Sequence, residues 1–217
     1  MKKNLTEMVF ILDRSGSMGR LTDDTIGGFN SMIENQKLES GEAYVTTVLF
    51  DDEYEVLHNH VNIKEIKPIT RKEYYARGLT ALLDAIGKTI NVVGNRLAET
   101  AEEERPEKVI FVITTDGFEN ASREFSKSKV KEMIEHQQDK YAWTFMFIGA
   151  NMDAVSEASS LGIKSAFSKT YTANSVGTQS LYKATSDVLT CARGVSLDEY
   201  TSGDWTVQAS ACMDEIV

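Results

Sequence analysis

The stretch FILDRSGSMGR sets one carboxylate, Asp13, ahead of two hydroxyls at alternating positions, Ser15 and Ser17. ITTDGFEN puts Asp116 and a turn-forming Gly117 after an apolar run, and ARGLTALLDAI puts Thr80 in a loop just before a helical pattern. Asp13, Ser15, Ser17, Thr80 and Asp116 together are what a hard divalent cation such as Mg2+ takes: oxygen donors near octahedral geometry, with several waters kept. The aspartates supply charge and the hydroxyls supply neutral oxygens. Alternation lets a turn curl Ser15 and Ser17 around one point, and Gly16 is expected to relieve the crowding of that curl. No His or Cys lies near in sequence, which speaks against a zinc-type site. Each piece also has a plainer reading. Ser and Asp are ordinary turn and cap residues, and Thr80 alone reads as a helix cap ahead of Ala81. The joint pattern favours the metal.

For these donors to meet, the elements carrying them must be neighbours. MVFIL (8–12), VIFVI (109–113) and TFMFI (144–148) are apolar at both alternating positions, as strands covered on both faces are. Helical spacing falls between them, at Ile26, Phe29 and Ile33, then at Leu82, Leu83, Ile86, Ile90, Val93 and Leu97, and at Val130, Met133 and Ile134. Ser126 is placed to cap the third of these helices, and Asp153 a short one through Ala158. AYVTTVLFDDEYEVLHNHV reads as a hairpin turning at Asp51-Asp52, which brings in one antiparallel strand. SAFSKTY gives a weak last strand and SVGTQSLYKATSDVLTCARG a last helix ending at Gly194. Strand–helix alternation of this kind makes a mostly parallel α/β sheet with right-handed crossovers. Ligands then sit outside the carboxyl ends of the strands, where Asp13 and Asp116 stand.

The length of 217 residues suits one full-sized domain, taken as 1–194, with 195–217 as a C-terminal appendage that either packs back or stays mobile. A net charge of −10 argues against nucleic acid as a partner, since phosphate neutralisation needs a basic face. Cys191 and Cys212 show no metal-type spacing and read as reduced thiols. The apolar stretch after MKKNLTE is too short for a secretory signal, and no run reaches membrane-spanning length. The expected location is the cytoplasm, with no membrane partner.

The Asp13-x-Ser15-x-Ser17 motif, the later Thr80 and Asp116-Gly117 after an apolar strand resemble the metal-ion-dependent adhesion site (MIDAS) of von Willebrand factor A (vWA) domains. The strand–helix order agrees over roughly residues 6–190. TTDGFEN and FIGAN are also similar to stand-alone bacterial or phage members. The resemblance implies a Rossmann-like, doubly wound α/β fold: a six-stranded, mostly parallel sheet with one antiparallel edge strand and helices on both faces. It implies Asp13, Ser15 and Ser17 as core ligands of Mg2+ or Mn2+, with Ca2+ less favoured. Thr80 and Asp116 would bind directly or through water. A partner protein's Asp or Glu would complete the shell, so the chain would be an interaction module and not an enzyme.

Other readings compete. A phosphohydrolase with Asp13 as nucleophile wants a second acid at position 15, where this chain has Ser15. A serine hydrolase lacks a G-x-S-x-G elbow and a placed base. A structural subunit with a merely bracing metal stays open. His58 and His60 share a strand face and could clasp a metal, though a third ligand is not in view. Glu119 and Asn120 are either support or rim groups of the metal loop or part of a solvated loop. Tyr74 and Tyr75 read as packing aromatics, with a place on the partner surface as the second option.

Overall fold

β1 (Lys2–Asp13) is buried without a break from Leu5 to Asp13, because strands flank it on both sides and helices cover both faces. The computed structural model describes residues 1–217. The other strands are β2 (Glu42–Phe50), β3 (Tyr54–Asn62), β4 (Pro106–Thr115), β5 (Thr144–Ala150) and β6 (Ser168–Tyr171). They form one six-stranded sheet in the order β3-β2-β1-β4-β5-β6. All neighbours run parallel except β2 and β3, so the hairpin supplies the antiparallel edge strand.

The doubly apolar runs have a direct cause. Met8, Phe10 and Leu12 enter the core on one face of the sheet, together with Ile110, Val112, Met146 and Ile148. Val9 and Ile11 point the other way, with Phe111, Ile113, Phe145 and Phe147. The first core is closed by α1 (Thr22–Leu38) and α5 (Ser175–Gly194); the second by α2 (Leu82–Glu99), α3 (Lys127–Tyr141) and α4 (Ala154–Ser160). Ser126 caps α3 by accepting the Lys129 N–H, and Asp153 caps α4 by accepting the Ser156 N–H. The register pairs Asp13 with Phe50 on one side and Leu12 with Thr114 on the other. Asp13 and Asp116 therefore stand at the same carboxyl edge, on adjacent strands.

Three local details differ from the sequence reading. The hairpin turn takes residues 51–53, closed by the Asp51 carboxylate on the Glu53 N–H (2.6 Å). α4 continues to Ser160, past Ala158. Thr80 is not the cap of α2: Ala81 holds the cap position with no side-chain bond, and the caps come from the distant residues Glu119 and Ser122.

After Gly194 the chain forms α6 (Leu197–Ser202) and α7 (Thr206–Met213), which lie on the first core. The Tyr200 hydroxyl donates to Thr144 Oγ1 (2.7 Å), and the Trp205 ring stacks on Tyr200 at 5.2 Å between centroids. Lys108, buried in β4, donates to the Arg193 and Val195 carbonyls at the end of α5, where the helix dipole favours a cation. The Thr172 N–H donates to the Val217 carbonyl (2.9 Å), which ties the chain's last residue beside β6. Trp205→Ala should therefore cost about 3–5 kcal/mol, as large buried aromatics do. Urea unfolding would show the midpoint falling with the slope unchanged. A loss below about 1 kcal/mol would mean that these helices lie outside the cooperative unit.

Candidate metal centre

Asp13 is wholly buried at the end of β1 and is held by donors on three sides. Its Oδ1 accepts the Ser15 N–H (2.6 Å), its Oδ2 accepts the Thr115 hydroxyl (2.6 Å), and its carbonyl accepts the Tyr74 hydroxyl (2.5 Å). Ser15 Oγ lies 3.2 Å from Ser17 Oγ, and Ser17 Oγ donates to Asp116 Oδ1 at 2.5 Å. A methyl built on Gly117 would sit 4.0 Å from both Ser17 Oγ and Thr80 Oγ1, so the glycine faces both hydroxyls. Asp13, Ser15, Ser17 and Asp116 are thus joined by hydrogen bonds, and Thr80 Oγ1 faces the same cluster from across Gly117. The second oxygen of Asp116, Oδ2, is buried and has no hydrogen-bond partner.

The loops are fixed by side chains that the motif does not contain. Arg14 is fully buried and pairs with Asp51 (2.9 Å) and Glu55 (2.6 Å), while its N–H donates to the Phe50 carbonyl. Arg77 also pairs with Asp51 (2.7 Å), and its N–H donates to the Arg14 carbonyl. The Tyr75 ring lies 5.5 Å from each guanidinium. One buried carboxylate, Asp51, therefore ties the β1 loop to the loop before Thr80. Gly16, expected to relieve the curl, is not in the left-handed region. Gly78 is, at φ +65°, and a side chain there would run into Asp52.

Glu119 and Asn120 are support groups. Asn120 accepts the Thr80 N–H (2.9 Å) and donates its own N–H to the Thr80 carbonyl. Glu119 takes the N–H groups of Leu83, Ala121 and Ser122. Asp84, on the first turn of α2, takes the N–H groups of Arg123, Glu124 and Phe125. Tyr74 serves the site through its hydroxyl as well as its packing. His58 and His60 do not form a metal clasp. A bulge at Thr47 breaks the strand register, His60 turns to φ 54°, and its Nδ1 pairs with the buried Glu7 (2.6 Å). No group of three or more His, Cys, Asp or Glu side chains is arranged to hold a metal.

Burial without a nearby counter-charge pushes the Asp13 carboxyl up to about 6, against the Thr115 and Ser15 hydrogen bonds that favour its charged form. Burial also raises Asp116, opposed by Ser17 and by the Arg20 charge. Two under-compensated acids, flanking hydroxyls and an orphaned carboxylate oxygen fit a hard divalent cation. Between its ordinary 3.8 and about 6, the folded chain holds a proton on Asp13 that the unfolded chain has lost. Metal-free stability from this group therefore falls as pH rises through that window. Asp13→Asn keeps both acceptor positions workable, since the Thr115 hydroxyl can turn to accept. It should stabilise the metal-free protein at pH 7 by roughly 1–3 kcal/mol, with the advantage shrinking towards pH 4. Thermal melts in EDTA across that range would check both the sign and the trend.

No family model matches the sequence, and no curated protein matches it. Solved structures do resemble it in fold. Proximal thread matrix protein 1 from the mussel byssus is 14% identical with a TM-score of 0.57, over 84% of this chain and 47% of that one. Another structure of that protein is described as having a zinc-occupied MIDAS motif. The manganese-loaded TRAP protein of Plasmodium vivax is 17% identical with a TM-score of 0.55, over 79% of this chain and 70% of that one. A von Willebrand factor type A structure from Catenulispora acidiphila is 12% identical with a TM-score of 0.51, over 96% and 42%. This chain thus spans about half the length of the mussel protein and less of the bacterial one. At such identities the likeness is one of architecture, and that architecture is the vWA fold.

Proposed function

We propose that the chain is a metal-dependent protein-interaction module. Asp13, Ser15 and Ser17 would hold Mg2+ or Mn2+, with Thr80 and Asp116 binding directly or through water. The observation that carries this reading is the buried, unpartnered Asp116 Oδ2 beside the Ser15–Ser17 pair. A buried polar atom without a partner is costly and calls for one. The manganese-loaded and zinc-occupied neighbours support a divalent ion in this fold. The bound ion would supply an electrophilic position for a partner's Asp or Glu.

The metal is not needed to brace these loops, because protein groups already brace them. Asn120 holds Thr80, Arg14 and Arg77 share Asp51, and Tyr74 holds the Asp13 carbonyl. That favours a binding role over a bracing one. No side chain is assigned to catalysis: Ser15 bonds to Ser17 and Ser17 to Asp116, with no histidine beside either serine to activate it as a nucleophile. No helix is long and apolar enough to cross a membrane, and a cytoplasmic location with reduced Cys191 and Cys212 remains part of this reading.

Calorimetric titration with Mn2+ should show one site in wild type and none in Asp13→Ala or Asp13→Asn, with circular dichroism unchanged. Thr115→Val removes the hydroxyl that orients Asp13 and should weaken binding about 10–100-fold, as loss of an outer partner does. Full Mn2+ affinity in both Asp13 variants would refute the assignment.

A further inference from the structure

Met18 and Leu21 turn inwards from the 3-10 turn Gly16–Leu21 that follows Ser15, and both are buried. A 3-10 helix has about three residues per turn, so residues three apart stand one above the other. Ser17 and Arg20 therefore share the neighbouring face of this turn, and both are exposed. Ser17 donates to Asp116 at 2.5 Å, so Arg20 stands one turn beyond a hydroxyl of the candidate centre. Gly16 and Gly19, exposed beside them, carry no side chain to stand in the way. Burial raises both the Asp116 carboxyl and the Tyr171 hydroxyl, and the Arg20 charge works against burial at each. That charge reaches the centre.

No acid of the chain pairs with it. Arg14 and Arg77, on the loops around the site, are tied to Asp51, Glu53 and Glu55. The acids three and four residues after Arg20, where a helix pairs charges, are engaged elsewhere. Asp23 is taken by two nitrogens of Arg71 (2.8 and 2.7 Å), and Asp24 is turned to α5 by the Ser175 hydroxyl (2.6 Å). The Arg20 guanidinium is left without an ion pair. A bound divalent ion would balance Asp13 and Asp116, and Arg20 would then be a further positive point on the same rim.

We propose that Arg20 is a positioning residue for the partner: its guanidinium takes one oxygen of the partner's Asp or Glu while the other oxygen sits on the metal. This inference rests on the metal-binding reading above and adds to it a residue that selects the incoming group. A carboxylate offers an acceptor to the metal and to the guanidinium at once. An Asn or Gln with its carbonyl oxygen on the metal would instead turn N–H donors towards the guanidinium, donor against donor. Arg20 therefore widens the gap between an acid and its amide.

The test uses acetate and acetamide as probes of the Mn2+-loaded protein at constant ionic strength, with loss of metal-bound water read from water-proton relaxation. Mn2+ affinity is measured separately by calorimetry in wild type, Arg20→Gln and Arg20→Lys. Arg20→Gln should need about tenfold more acetate than wild type, with no loss of acetamide uptake. Its Mn2+ affinity should hold or tighten, because a cation beside the metal has been removed. Arg20→Lys keeps the charge without the planar fork and should fall between the two in acetate uptake. Acetate uptake that is equal in wild type and Arg20→Gln, or absent from both, would overturn the proposal while leaving the metal reading standing. Weaker Mn2+ binding by Arg20→Gln would overturn it too, by making Arg20 a support of the centre and not of the partner. Failure of wild type to bind Mn2+ would instead refute the reading beneath it.

Discussion

Burying a carboxylate at the end of the central strand is costly, and the arrangement around Asp13 answers that cost. The residue is wholly buried, no cation of the chain contacts it, and its neighbours are hydrogen-bond donors. A charge so placed either stays protonated or is met by a cation from outside. The doubly covered parallel sheet creates the condition, because β1 has β2 on one side, β4 on the other and helices over both faces. The same geometry brings Asp116 to the next strand end, where its charge is also disfavoured. The fold therefore concentrates unmet negative charge at one point of its carboxyl edge.

Holding that point in shape falls to residues with no place in the motif. Asp51, at the hairpin turn, accepts from Arg14 and Arg77, which joins three loops through one buried carboxylate. Buried pairs of this kind add little net stability, but removing one partner strands the other. They fix which loop lies against which. Asp84 and Glu119 do the corresponding work on the far side, fastening residues 119–125 to the first turn of α2 with backbone N–H donors. The donors around Asp13 are thus arranged before any ion arrives, which lowers the cost of binding one.

The sheet was legible because its strands are buried on both faces and so carry unbroken apolar runs, and the hairpin because its turn residues are polar. The five oxygen-bearing residues stand out in the sequence because metal chemistry restricts residue type and spacing tightly, and the chain fold draws Asp13, Ser15, Ser17 and Asp116 into one hydrogen-bonded cluster. Their support was not legible. Arg14 sits between Asp13 and Ser15, and nothing local shows that Asp51 and Glu55, from the hairpin, will enclose it. Thr80 reads as a cap because local spacing cannot reveal that Glu119, far along the chain, takes that task. His58 and His60 read as a pair on one face because a bulge leaves no mark on alternation. The burial of Tyr200 and Trp205 against the sheet is equally non-local. Long-range pairing decided each of these cases.

The central claim is that a divalent ion sits among Asp13, Ser15, Ser17, Thr80 and Asp116. Its most direct test is the anomalous difference map of a crystal grown with Mn2+. The account expects one strong peak within bonding distance of Asp13, Ser15 and Ser17, with at least one coordination position filled by solvent. An empty centre at saturating Mn2+, or a peak at the His60–Glu7 pair instead, would contradict it.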